Sequence, residues 1–180
     1  MKVINIIVED FVNYKKPSIF IGFPKCTFKC NKDAGKIVCQ NYQLIKEKSI
    51  EISYEEIVKL YIDNPLTKAI VFGGLEPFDS YIDMLNLIAE FRKYTYDDIV
   101  IYTGYTEDEL KEEIQYLSSS YSNIIIKFGR FKPNAKQHID PILGVKLYGD
   151  NQYAKKYILC GVKLHGDNQY EKKYILRGNI

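Results

Sequence analysis

Three of the four cysteines in this 180-residue chain fall in one short polar stretch, "KCTFKCNKDAGKIVCQN", Lys25 to Asn41. Cys26, Cys30 and Cys39 are spaced C-x3-C-x8-C. Thiolates are soft ligands, so clustered cysteines in a reducing compartment point to a metal site or to reactive thiols before disulfides. A closed structural zinc site wants four ligands in paired spacings, and only one such pair is present here. The nearest further ligands, Cys160, His138 and His165, are far away in sequence. Three thiolates also suit an iron–sulfur cluster with one iron left open for a substrate. Zinc, a cluster and unligated thiols all remain open on spacing alone.

A second motif, "VFGGLEPFD" (71–79), places Gly73, Gly74 and Glu76 at the end of an apolar run. By itself it reads as a tight strand-to-helix turn, with glycine supplying a positive φ or a close approach. A third, "IYTGYTEDEL" (101–110), carries Thr103 and Gly104 at the end of another such run. No Ser/His/Asp set and no phosphate-binding Gly-x-x-x-x-Gly-Lys loop is present. The 16 tyrosines show no period. Arg130 reads as a surface ion-pair partner, and His138 and His165 as loop histidines.

These turns need a scaffold. Short β-branched runs at 19–23, 69–74, 98–104, 123–129 and 142–149 read as strands, and "KVINIIV" near the N-terminus as another. Most are continuously apolar, as strands buried on both faces are. Between them lie amphipathic helices. "SYEEIVKLYID" opens on a capping box of Ser53 and Glu56, and "TEDELKEEIQYL" on one of Thr106 and Glu109. The latter sets Leu110, Ile114 and Leu117 on one face. "DSYIDMLNLIAEFRKY" offers Leu85, Ile88 and Phe91 to the core. Strand–helix alternation predicts an α/β fold with a mainly parallel sheet. Ligands gather at the carboxyl ends of such strands, so the cysteine loop and the two turns should share one rim.

Composition narrows the class. With 46% hydrophobic and 27% charged residues the chain has the make-up of a soluble globular protein. No apolar run approaches the roughly 20 residues of a membrane span. Glu9 and Asp10 interrupt the N-terminal apolar stretch, against a signal peptide and in favour of the cytoplasm. A net charge of +2 without a basic stripe argues against nucleic acid. Near the C-terminus Gly144–Cys160 is repeated almost unchanged as Gly161–Arg177. Two copies do not make a solenoid. The reading is one domain over 1–158, with 159–180 an appendage holding the duplicate and Cys160 incidental. The first copy, through "GVKLYGDNQY", is expected to form the final strand of the sheet.

Taken together, the three-cysteine loop and the Gly-Gly-Leu-Glu-Pro turn resemble the radical S-adenosylmethionine (SAM) enzymes. In order along the chain, "CQN" (39–41), "IYTGYTEDEL", "GRFKP" (129–133) and "GDNQ" (149–152) are similar to one family, the activating enzymes of anaerobic (class III) ribonucleotide reductase. The likeness spans about residues 15–156. It departs in six extra residues between Cys30 and Cys39, in the inserted Leu75, and in Phe128, where the family often has an acid. Loop insertions cost little entropy.

The resemblance implies a short, partial (βα) barrel of radical-SAM type, open on one side for a protein substrate. It implies a [4Fe–4S] cluster on Cys26, Cys30 and Cys39, and SAM held by Gly73, Gly74, Glu76, Thr103 and Gly104. The activity would be SAM cleavage and formation of a glycyl radical on the large subunit of the reductase. Flavodoxin or ferredoxin would be the electron donor, with no nucleic-acid or membrane partner. The alternatives are activation of another glycyl-radical enzyme, modification of a small molecule, and a non-catalytic zinc or cluster-binding module.

Overall fold

The computed structural model describes residues 1–159. In chain order the first half holds β1 (Lys2–Val3), β2 (Ile6–Asp10), β3 (Ser18–Phe23), α1 (Lys29–Ala34), β4 (Ile50–Glu51), α2 (Tyr54–Ile62) and β5 (Ala69–Gly74). The second half holds α3 (Tyr81–Phe91), β6 (Asp98–Tyr102), α4 (Lys111–Ser120), β7 (Ile124–Phe128), β8 (Gln137–Ile139), β9 (Lys146–Tyr148) and β10 (Tyr153–Tyr157). The fold is mixed α/β around a mostly parallel six-stranded sheet, in the order β10-β7-β6-β5-β3-β2. The four central strands are parallel, and both edge strands are antiparallel to their neighbours.

Neighbouring parallel strands joined in sequence by helices place those helices on one face. The buried side chains bear this out. Alternate strand residues, among them Ile21, Phe72, Ile101 and Ile126, pack with Ile57, Leu87, Phe91 and Leu117 of the three helices. Their neighbours Val71, Val100 and Ile125 point the other way, onto Tyr14, Leu143 and Leu147. Both faces are dry, which is why these strands read as unbroken apolar runs.

The Ser53–Glu56 capping box forms in full and starts α2. Its expected counterpart forms by half. The Glu109 carboxylate accepts from the Thr106 N–H, but the Glu109 N–H bonds the Thr106 carbonyl, and a 3₁₀ turn precedes α4. Leu110, Ile114 and Leu117 are buried as their spacing required. On α3 the deepest residues include Met84 and Leu87, while Leu85 lies partly buried beside the core.

Two strand assignments need correction. "KVINIIV" breaks at Ile4–Asn5, where the backbone exchanges hydrogen bonds with Gly22, so β1 pairs with β4 and only β2 joins the main sheet. The run 142–149 does not enter the main sheet. Gly144 and Gly149 take φ of +73° and +87°, and between them only Lys146–Tyr148 is extended, pairing with β8 across the second face. The last strand of the sheet comes from the other half of the first repeat copy, "YAKKY". It turns its small residue, Ala154, into the core and sends Lys155 and Lys156 to Glu107 and Asp98. The duplicate copy, with Cys160 and His165, lies outside the described residues.

Asp98, at the start of β6, draws the far rim together. Its carboxylate accepts from the Tyr14 hydroxyl (3.0 Å) and from the Lys16 and Lys156 ammonium groups (2.6 Å each). The opposite rim, at the carboxyl ends of the parallel strands, is left for the site.

Candidate metal centre

Three residues past β3 the chain reaches Cys26. Phe28 adopts a left-handed backbone (φ 53°), which turns its N–H back to donate to the Cys26 sulfur at 3.2 Å. This reversal starts α1, which carries Cys30 and ends where Gly35 goes left-handed at φ 62°. The long spacing to Cys39 is closed by Asn31. Its side-chain oxygen accepts from the N–H groups of Val38 (2.8 Å) and Cys39 (2.9 Å). All three cysteines end half-buried with free thiols.

The Gly-Gly turn holds this loop from below. The N–H groups of Leu75 and Glu76 donate to the carbonyls of Phe23 and Lys25, fixing the chain just before Cys26. Asn41, two residues beyond Cys39, donates its side-chain N–H to the Gly74 carbonyl at 2.8 Å. Asp79 accepts from the Thr27 N–H and from the Tyr105 hydroxyl.

The third segment is tied in by Glu76. One carboxylate oxygen accepts from the Gly104 N–H at 2.9 Å, the other from the Phe78 N–H at 3.2 Å. A Cβ on Gly104 would stand 3.3 Å from the Cys30 sulfur and 3.7 Å from Glu76. Thr103 is buried, and its hydroxyl accepts from the Tyr105 N–H. The cysteine loop, the Gly-Gly turn and the Thr-Gly turn therefore do meet at one rim.

The glycines are explained differently from the expectation that a ligand approaches them. A Cβ on Gly73 would run into the Phe20 ring at 2.8 Å, and one on Gly74 into Gly22 Cα at 2.8 Å, with φ already at +82°. Close packing of β5 on β3 demands both. Glu76 is likewise only 6% exposed and occupied by backbone donors. Burial pushes its carboxyl up to about 7, against the lowering effect of those hydrogen bonds.

Two residues near the site escaped the reading of the chain. Asn31 is one. Lys127 is the other: it sits inside an apolar strand and is 7% exposed, with its ammonium donating to the Gly129 carbonyl at 2.9 Å. Burial pulls it down to about 8, while nearby Glu76 and Cys30 favour its charged form. A lysine in a run such as "NIIIKFG" was the available signal, because lysine is almost never fully buried without a reason. Arg130 is an ion-pair residue, as expected, but it acts on the site. It grips Glu109 with two nitrogens (2.7 and 2.8 Å) and pairs with Asp33 of α1 at 2.6 Å. Asn151 then donates to the Arg130 carbonyl at 2.8 Å, joining the "GRF" and "GDNQ" segments.

Two of the thiols, Cys26 and Cys39, resist ionising. Burial pushes Cys26 up to about 12 and raises Cys39 as well, only partly offset by the N–H groups of Phe28 and Asn41. Among the described residues no three His, Cys, Asp or Glu side chains gather closely enough to hold one metal ion. A cluster is held by separate thiolates on separate irons, and three soft, half-buried sulfurs on one loop are the donor chemistry it takes.

Sheet, rim and thiol loop together make an α/β protein with three cysteines at the carboxyl rim of its parallel strands. A model of the family described as the 4Fe-4S single cluster domain matches residues 18–147, well over half of the chain and all of the thiol loop. The chain belongs to that family and is a [4Fe–4S] iron–sulfur protein. No curated protein and no solved structure matches it.

Proposed function

We propose that the chain is a radical SAM activase that generates a glycyl radical on anaerobic ribonucleotide reductase. The observation that carries this reading is the meeting of Cys30, Glu76 and Gly104, which unites the three motifs on which the resemblance rests. The sequential order of the parallel strands, with α2, α3 and α4 on one face, supports a partial (βα) barrel of radical-SAM type. The domain is 1–158, and its setting is the cytoplasm. Among the described residues no helix is long and apolar enough to cross a membrane.

Cys26, Cys30 and Cys39 would hold the cluster. When bound, a [4Fe–4S] cluster with one open iron supplies the electron that splits SAM into methionine and a 5′-deoxyadenosyl radical, the species that takes hydrogen from a glycine of the partner. The chain's own residues prepare the place. The Phe28 N–H steadies the Cys26 sulfur, and Asn31 and Asn41 fix the backbone on both sides of Cys39. Gly104 leaves the space beside the Cys30 sulfur free of a side chain. Thr103 and Gly104 form the rim for SAM. Gly73, Gly74 and Glu76 act one step back, by locking that rim and the thiol loop to the sheet.

The test is anaerobic incubation of the reconstituted protein with SAM, reductant and the reductase, read by electron paramagnetic resonance. A glycyl radical on the reductase supports the proposal. Radical formation on a different glycyl-radical enzyme alone transfers the activity to that partner. No radical and no SAM cleavage would make the chain a non-catalytic cluster protein.

A further inference from the structure

Lys127 places a cation where folds avoid one. It follows Ile125 by two residues on β7, so both side chains leave the strand on the same dry second face. The residue is 7% exposed, and among the described residues no carboxylate pairs with its ammonium. A lysine has three N–H donors. The acceptor found for this one among the described residues is the Gly129 carbonyl at 2.9 Å. An isolated buried charge is costly until an opposite charge answers it. Glu76 does not do so, because its two oxygens are spent on the Gly104 and Phe78 N–H groups.

The end of β7 is laced to the Thr-Gly turn. The Thr103 N–H donates to the Lys127 carbonyl at 2.9 Å, and the Gly129 N–H to the Tyr105 carbonyl at 2.9 Å. Gly104 lies between these two bonds, and it is the residue against which the Cys30 sulfur rests. The unanswered ammonium is thus held at the rim where the three motifs meet. Cys30 and Glu76 both favour its charged form against burial.

We infer that the Lys127 ammonium is the buried counter-charge of the cluster and eases its one-electron reduction. The inference rests on the proposed seat of the cluster on Cys26, Cys30 and Cys39, and it does not require SAM cleavage. Three thiolates leave an oxidised [4Fe–4S] cluster net negative, and the incoming electron adds one more unit. Net charge is one of the levers that set a cluster's potential. A unit charge about 10 Å away, at an effective dielectric of about 20, shifts a one-electron equilibrium by about tenfold or more.

The reconstituted full-length protein is titrated anaerobically with dithionite and redox mediators, without SAM, and the reduced cluster is read by electron paramagnetic resonance. In Lys127→Met and Lys127→Gln the equilibrium should move about tenfold or more against the reduced cluster, a midpoint lower by at least about 59 mV. Iron and sulfide should stay at wild-type levels, and the metal-free variants should melt no lower than wild type, since a lone buried charge has gone. Lys155→Met removes an exposed charge from the adjoining strand and should leave the midpoint where it is. An unchanged midpoint in both Lys127 variants would overturn the inference, and so would an equal shift in Lys155→Met. Loss of the metal-free fold in both Lys127 variants would make the lysine a strut of β7 and overturn it too. A lowered midpoint with no SAM cleavage in the wild type would strike the activase reading and leave this one standing. SAM cleavage with no shift would do the reverse.

Discussion

The Glu76 carboxylate accepts the Gly104 N–H at 2.9 Å, so the turns after β5 and β6 are joined by one buried side chain. The Cys30 sulfur lies against the same glycine. Glu76 is thus a strut between two turns. Glu76→Ala should leave the Gly104 and Phe78 N–H groups without their acceptor, at a cost of about 1–3 kcal/mol. Thermal unfolding of the metal-free protein checks this, and Glu76→Gln, which keeps one of the two acceptor oxygens and sets an NH2 donor against the other N–H, should recover only part of the loss.

Gly74 and Gly104 should fail in different ways when given a side chain. Gly74→Ala meets the β3 backbone at 2.8 Å with φ at +82°, so the fold should lose about 1–3 kcal/mol. At Gly104 the neighbour is the Cys30 sulfur at 3.3 Å. Gly104→Ala should therefore keep a near-wild-type melting temperature while iron loading or the cluster's resonance spectrum changes. Equal melting losses in both variants would show that the Gly104 turn has only a packing role.

Arg130 clamps α1 to the start of α4 through Asp33 and Glu109. Its hydrogen bonds hold the Glu109 carboxyl well below the usual carboxylate range. Arg130→Gln should cost about 1 kcal/mol, because the partners are partly exposed. Its larger effect should be on the loop, seen as faster hydrogen exchange over residues 29–39 and slower cluster assembly.

The far rim should respond to acid. Burial works to raise the Asp98 carboxyl, but hydrogen bonds from Lys156, Lys16 and Tyr14 outweigh it and lower the pKa. A carboxylate with a lowered folded pKa stabilises the fold above its unfolded value of about 3.9, and that stability drains away as pH falls through the folded value. Asp98→Asn should cost about 2 kcal/mol near neutrality, and the gap to wild type should narrow below about pH 4. Denaturant unfolding at several pH values tests this.

The repeat makes a further test. Ala154 is buried against the second face, and its N–H donates to Asp140. The duplicate has Glu171 at the matching position. Ala154→Glu would bury a carboxylate beside Asp140 and should cost about 3 kcal/mol or more. A chain ending after Ile158 should keep its fold and its cluster. If Ala154→Glu is harmless, copies of either kind can fill the strand position.

Much of this architecture is written locally. Unbroken runs such as "AIVFGG" name strands buried on both sides, and Ser53 with Glu56 names a helix start, because both depend on neighbours in the chain. The shared rim follows as well, since parallel strands put their carboxyl ends together. What stayed hidden depends on distant partners. "GVKLYG" has strand chemistry, but the positive φ at Gly144 and Gly149 and the slot beside β7 hand the strand to "YAKKY". The hydrogen bond by which Glu76 ties in Gly104 joins turns 28 residues apart, which the motif alone does not announce. Asn31 closes the thiol loop by an ordinary amide contact, which no spacing rule announces.

The most direct test of the central claim is SAM cleavage by the anaerobically reconstituted protein, with product 5′-deoxyadenosine measured against iron and sulfide content. The account predicts about four irons and four sulfides per chain, and reductive formation of 5′-deoxyadenosine with an equal amount of methionine. Both cluster and cleavage should be impaired by Cys26→Ala, Cys30→Ala or Cys39→Ala, and untouched by Cys160→Ala. A fully assembled, reducible [4Fe–4S] protein that leaves SAM intact would contradict it.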